Sequence, residues 1–231
     1  MQIKGLQKLT LIDYPQKIAC TVFLAGCNFR CPWCYSPELV LPERIKEMPD
    51  VKKEDFFQFL DERKGKIEGV VICGGEPTIS KELPEFAREI KEKGFLVKLD
   101  TNGSNPKALK GIIKAGYVDF IAMDVKVPLE RYTEVEGLNA KKEDIKESIE
   151  IIKGSGVEYE FRTTVVPGVH EEEDIMRIAK EIAPADNYFL QNFLPEKTLK
   201  KNFLHKNPFS KEQMEGFKEA ARQYVKTCQV R

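Results

Sequence analysis

The sequence predicts an α/β protein, a parallel sheet with helices packed outside it. Two observations carry that expectation. Short apolar runs rich in β-branched residues alternate with longer amphipathic, charged runs, and the alternation repeats along the chain. Gly94, Gly116 and Gly154 stand at or just beyond the ends of charged runs, where a helix commonly stops on a left-handed residue.

The elements follow in order. Residues 19–24 form the first apolar run, and the proline-rich stretch 35–50 after it reads as a long loop. A helical pattern covers 53–63. The second strand, 69–73, leads to a helix over 81–93, where Leu83, Phe86, Ala87 and Ile90 recur at helical spacing and make one apolar stripe. Strands at 95–100, 118–123 and 158–165 pair with helices at 106–115, 141–153 and 171–182. The sixth strand, 188–193, is followed by a basic loop punctuated by Asn and Pro, 195–208, and a helix over 210–226. About six β/α units are too few for the closed eight-unit barrel, which leaves an open barrel or a doubly wound sheet. Both put the working ends of the sheet at the strand C-termini.

At 231 residues the chain reads as one domain, 1–231, with a core that needs no disulfides. Hydrophobic residues make up 42% and charged residues 32%, a soluble globular composition. Lys plus Arg equals Asp plus Glu at 37 each, so no global field favours nucleic acid or a membrane surface. A local basic patch stays open: Lys197, Lys200, Lys201 and Lys206 fall in one loop, for which a solvated surface is the plain reading. No apolar stretch approaches the roughly 20 residues of a membrane span. The first ten residues carry Lys4 and Lys8 and no long apolar run, so no secretory signal is expected and the setting reads as cytoplasmic and reducing.

That setting bears on the six cysteines, which point to metal binding or catalysis rather than disulfides. Three of them, Cys27, Cys31 and Cys34, share one loop after the first strand at C-x3-C-x2-C spacing. Three thiolates on one cubane would leave one iron with an open site, which suits a catalytic cluster. A structural zinc site is the competing reading, with Cys73 or a distant histidine as fourth ligand. Cys20 reads as a small core residue, and His170 and His205 as unexceptional loop residues.

Further segments sit at strand ends. Gly74-Gly75-Glu76-Pro77 follows the second strand, and its glycines permit close backbone approach. The bland reading is a glycine turn capped by Thr78 or Ser80. Asp100-Thr101-Asn102-Gly103 ends the third strand and Met123-Asp124-Val125-Lys126 the fourth, where the carboxylates could simply cap helices. Arg162 to Gly168 ends the fifth. Arg162 could pair with a site carboxylate or lie at a strand edge, and Val165 and Val166 could be core.

These segments together resemble the radical S-adenosylmethionine (SAM) superfamily. The resemblance implies an open, partial β/α barrel. It implies a 4Fe–4S cluster on Cys27, Cys31 and Cys34, whose fourth iron binds SAM. It further implies that SAM is cleaved reductively to methionine and a 5′-deoxyadenosyl radical, the cofactor supplying the chemistry and the protein the positioning. Gly74, Gly75, Glu76 and Pro77 would hold the SAM amino group, and Lys126 would lie near its carboxylate or the substrate. Asp100, Asn102, Arg162 and Val165 would complete the cofactor site, with Trp33 and Tyr35 beside the adenine. In the similar glycyl-radical-enzyme activases, the positions of Asp100, Thr101 and Asp124 form a monovalent cation site, and oxygen ligands suit a hard cation.

The run from Gly5 to Pro15, with Pro37-Glu38-Leu39 and Leu190-Gln191-Asn192-Phe193, is similar to the activating proteins of anaerobic ribonucleoside-triphosphate reductase. The implied partner is a glycyl radical enzyme that gives up an α-hydrogen, and the implied electron donor a flavodoxin or ferredoxin. The chain departs from that family at Tyr35-Ser36, where His-Asn is usual, and at Cys73. A radical SAM enzyme acting on RNA or a small metabolite, and a non-enzymatic metal-binding protein, are the alternatives.

Overall fold

A computed structural model describes residues 1–135, 137–138 and 140–231. The chain divides into two compact units. The first comprises Met1–Asn28, Pro37–Thr101 and Lys107–Ile121; the second comprises Phe29–Ser36, Asn102–Pro106 and Ala122–Arg231.

In the first unit, strands β1 (Ile3–Thr10), β2 (Ala19–Leu24), β3 (Gly69–Gly74) and β4 (Leu96–Thr101) lie in chain order. β2, β3 and β4 are parallel, with Val22 opposite Ile72 and Ile72 opposite Leu99. β1 runs antiparallel on β2 and is an addition to the predicted strands. The predicted loop 35–50 instead holds two short helices, α1 (Pro37–Val40) and α2 (Pro42–Glu47). Each opens on a proline, which fits a first turn because that N–H has no helical partner. Helices α3 (Lys53–Glu62) and α4 (Leu83–Glu92) follow. All four residues of the predicted stripe, Leu83, Phe86, Ala87 and Ile90, are buried, and Phe86 packs on Phe56. Burying such a side chain stabilises by about 1.5–3 kcal/mol.

Helix α5 (Pro106–Lys114) precedes strand β5 (Phe120–Asp124). In the second unit, α6 (Lys142–Lys153) leads to β6 (Glu158–Val165), α7 (Glu172–Ile182) to β7 (Asn187–Asn192), and α8 (Lys211–Arg222) to β8 (Thr227–Val230). β6, β7 and β8 are parallel, with Phe161 opposite Tyr188 and Tyr188 opposite Cys228. The predicted helix 210–226 stops at Arg222, because the chain turns there into β8, a strand the sequence reading lacked. Ser210 caps α8 reciprocally with Gln213. The predicted loop 195–208 carries a 3-10 turn, Lys201–His205.

Within each unit strand order follows chain order, and each of β2 to β7 precedes helical chain, so the expected α/β class stands. Gly94 and Gly116 are left-handed at helix ends as anticipated, at φ +90° and +71°. Gly154 is not: its φ is −90°, and Gly156, at +73°, makes the reversal instead. Among the described residues no helix is long and apolar enough to cross a membrane.

Candidate active site

In the first unit the candidate residues lie at the ends of β2, β3 and β4. Beyond β2, Gly26 donates its N–H to Leu39 O at 2.8 Å, and its own carbonyl accepts from Glu76 N–H at 2.7 Å. Gly75 N–H donates to Leu24 O at 2.8 Å. The two backbones are so close that a Cβ on Gly74 would stand 2.2 Å from Leu24 O, and one on Gly75 would stand 1.9 Å from Gly26 O. Glycine is therefore obligatory at both positions for the packing of the cysteine-bearing loop, before any ligand is considered. Cys27 follows Gly26 and is half-buried.

Glu76 is buried, and its Oε1 accepts three hydrogen bonds: from Thr78 N–H at 3.1 Å, from the Thr78 hydroxyl, and from the Thr101 hydroxyl at 2.7 Å. The carboxylate thus caps the 3-10 turn Pro77–Ile79 and ties the end of β4 to the end of β3. Glu76 is the cap, and Thr78 one of its donors, where the bland reading had Thr78 or Ser80 capping. Asp100 is ion-paired with Lys98, two residues earlier on β4. Lys98 is fully buried, with its Nζ 5.8 Å from the centre of the Phe120 ring. No candidate motif includes Lys98, although a lysine between Val97 and Leu99 is itself a signal.

The second unit holds Cys31 and Cys34 on its segment Phe29–Ser36. Cys34 N–H donates to Cys31 O at 3.0 Å, closing a tight turn. Arg30 N–H donates to Gly137 O at 2.7 Å, and Lys200 N–H to Pro32 O at 2.9 Å. Trp33 is buried, edge-on to His170 with ring centres 6.2 Å apart, and tilted against Phe203. Tyr35 stacks on Phe193 at 5.9 Å and accepts Leu194 N–H at 2.8 Å on its hydroxyl. Both aromatics fix the cysteine segment by packing. Asn102 accepts from Ser104 N–H at 3.0 Å and from its hydroxyl at 2.6 Å, a local turn. Val165 and Val166 are fully buried.

Asp124 is the electrostatic centre of the second unit's candidate residues. Its Oδ1 accepts from Arg162 Nε at 2.9 Å and its Oδ2 from Lys126 Nζ at 3.0 Å. Burial opposes both charged forms, but the Arg162 guanidinium and the Lys126 ammonium outweigh it and hold the Asp124 carboxyl well below the usual carboxylate range. The Lys126 ammonium is likewise held protonated against burial, by Asp124 first and then by the charge of Cys31. Lys126 N–H donates to the buried Tyr132 hydroxyl at 2.9 Å.

His170, taken from sequence as unexceptional, is 2% exposed. Its Nδ1 accepts Val166 N–H at 3.0 Å, so Nε2 carries the proton and donates to Lys126 O at 2.7 Å. Burial lowers its pKa to about 4 and keeps the ring neutral.

Burial pushes the Cys20 and Cys228 thiols up to about 12, which makes them inert core residues. Among the described residues no three His, Cys, Asp or Glu side chains surround one metal-ion position. Three cysteines within eight residues suit an iron–sulfur cluster, whose ligands are thiolates. In the basic loop, Lys206 lies over the Phe203 ring at 5.0 Å.

Comparison with known proteins adds four findings. The family model of the Radical SAM superfamily matches residues 21–182. A Methanocaldococcus jannaschii protein, provisionally assigned as a glycyl-radical enzyme activating enzyme, is 36% identical over 99% of this chain and 95% of its own length. The pyruvate formate-lyase-activating enzyme of Clostridium pasteurianum is 27% identical, with 86% of this chain and 83% of that protein aligned. Among solved structures, SuiB of Streptococcus suis superposes with a TM-score of 0.66 at 15% identity, over 91% of this chain and 48% of SuiB. That likeness speaks for the fold alone, an open, partial β/α barrel.

Proposed function

The chain belongs to the radical SAM superfamily, and on that premise we propose that it is a glycyl-radical-enzyme activating enzyme whose partner is an anaerobic ribonucleotide reductase. The observation that carries the activase reading is the end-to-end match to a protein assigned to that role, at 36% identity over 99% of the chain. The run from Gly5 to Pro15 supports the choice of partner. Residues 1–231 act as one catalytic domain in this reading.

The family implies a 4Fe–4S cluster and SAM. Cys27, Cys31 and Cys34 would hold the cluster. When bound, cluster and SAM would supply one-electron cleavage of SAM and, through it, the removal of an α-hydrogen from a partner glycine. The chain's own residues bind and orient. Gly74 and Gly75 bring their backbone against the cysteine loop, and Glu76 and Pro77 would receive the SAM ammonium. Lys126, Arg162 and Arg231 carry three positive charges against the two carboxylates of Asp124 and Glu160, and that surplus suits the SAM carboxylate. Asn102 and Val165, with Trp33 and Tyr35, would line the remainder. Burial of Trp33 and Val165 keeps water from the reacting atoms. A flavodoxin or ferredoxin would supply the electron. A monovalent cation is left out of this reading, because Asp100 and Asp124 are each paired with cationic side chains already.

The test is anaerobic reconstitution with iron and sulfide, reduction, and assay of 5′-deoxyadenosine from SAM. Wild type should form it, and Cys27→Ala, Cys31→Ala and Cys34→Ala should each abolish it. With the reductase added, an electron paramagnetic resonance signal of a glycyl radical should appear on the partner. Zinc uptake with no cluster and no product would refute the enzymatic reading; SAM cleavage without radical on the reductase would refute the choice of partner.

A further inference from the structure

The resemblance assigns Asp100, Thr101 and Asp124 to a monovalent cation, yet each is engaged otherwise within its own unit. Lys98 and Asp100 stand two residues apart on β4, so both side chains lie on one face. The Lys98 side chain is 1% exposed and its ammonium pairs with Asp100 Oδ1. An ammonium so buried is retained only where a carboxylate and further electron-rich groups replace water. Asp100 and the Phe120 ring face serve here. Thr101 spends its hydroxyl proton on Glu76. Asp124 already accepts from two cations, one on each oxygen. Arg162 does reach a second carboxylate, Glu160, at 3.8 Å, but Glu160 is shared with Arg231 at 3.1 Å. Three cations therefore face two carboxylates, and a further positive ion at Asp124 would meet net repulsion.

We propose that the Lys98 ammonium is a built-in counter-cation: it takes the charge position against Asp100 that an alkali metal ion would fill, and the protein works without such an ion. An ammonium group and a potassium ion are alike in charge and similar in size, and both are satisfied by oxygen. The tethered group is present at every salt concentration. The inference rests on the functional reading only for the place of Asp100 beside SAM; the ion pair stands without it.

The experiment is equilibrium dialysis of the cluster-free wild type and of Lys98→Met against rubidium, a potassium surrogate, at ionic strength held constant with choline chloride. Wild type should take up no stoichiometric rubidium, and Lys98→Met about one ion per chain, the oxygens of Asp100 having lost their cation. In the reconstituted enzyme, replacing potassium by choline should change wild-type SAM cleavage by less than about twofold, and slow Lys98→Met about tenfold, the worth of one charge-assisted contact. Potassium should restore the variant. Stoichiometric rubidium on the wild type, a wild-type requirement for potassium, or a folded Lys98→Met that binds none would each overturn the proposal. Should Lys98→Met not fold, the wild-type arms decide alone. A wild type that makes no 5′-deoxyadenosine at all would count against the functional reading, and the dialysis would still decide the counter-cation.

Discussion

His170 spends both ring nitrogens on backbone groups, accepting from Val166 and donating to Lys126, and presents its ring to the edge of Trp33. It therefore fixes three chain segments that the functional reading uses. His170→Ala would orphan a buried N–H and a buried carbonyl, at a cost of about 2–4 kcal/mol. Trp33 is the chain's single tryptophan, so its fluorescence reports directly on the loss. A red shift and a lower urea midpoint are expected, and an unchanged emission spectrum would contradict the contact. Nothing local in the sequence marks His170, because one partner lies 4 residues away and the other 44. Lys98 was legible in principle and His170 was not. The cysteines and Gly74 to Pro77 were legible because spacing along one loop survives without knowledge of the fold.

At the scale of elements, the glycine pair after β3 and the cap of α8 make separate predictions. Gly75→Ala must move one strand end, since its Cβ would meet Gly26 O at 1.9 Å. A loss of about 2–3 kcal/mol in urea unfolding is expected. Ser210→Ala removes the side-chain acceptor for Gln213 N–H and should cost about 1 kcal/mol, with α8 the element that frays in hydrogen exchange. The strands Ala19–Leu24 and Glu158–Val165 match their predicted bounds, because each is a compact apolar or alternating run. β1 escaped notice for the opposite reason. Its middle, Gly5 to Leu9, is half-buried or exposed, and two register shifts against β2 break the alternation. β8 has only four residues, too few to show a period. α1 and α2 hide behind their prolines, which read as loop signals when they stand at a helix start.

For the whole molecule, one half-buried and one buried group set opposite limbs of the pH profile. Burial raises the Glu181 carboxyl from 4.5 to about 7, against the hydrogen bond from Leu129 N–H. Between those values the folded chain keeps a proton that the unfolded chain releases, so stability falls as pH rises through the window. His170 behaves inversely. Its value drops from 6.5 to about 4, so stability falls as pH descends through that range. Glu181→Gln retains an acceptor for Leu129 and removes the first limb. Between about pH 5 and about pH 8, wild-type stability should fall relative to the variant by about 1 kcal/mol, allowing for partial solvent screening. A constant difference would show that Glu181 titrates normally. Zero net charge concealed both effects, because composition counts charges without their surroundings.

Glu76 gathers three donors on one oxygen, from a turn that follows β3 and from the last residue of β4. In evolutionary terms that atom serves two masters. A replacement that keeps the cap but shortens the reach, such as aspartate, abandons Thr101; one that keeps the reach but loses charge weakens all three bonds together. Neither replacement preserves both duties, so a change at Glu76 disturbs the ends of β3 and β4 together.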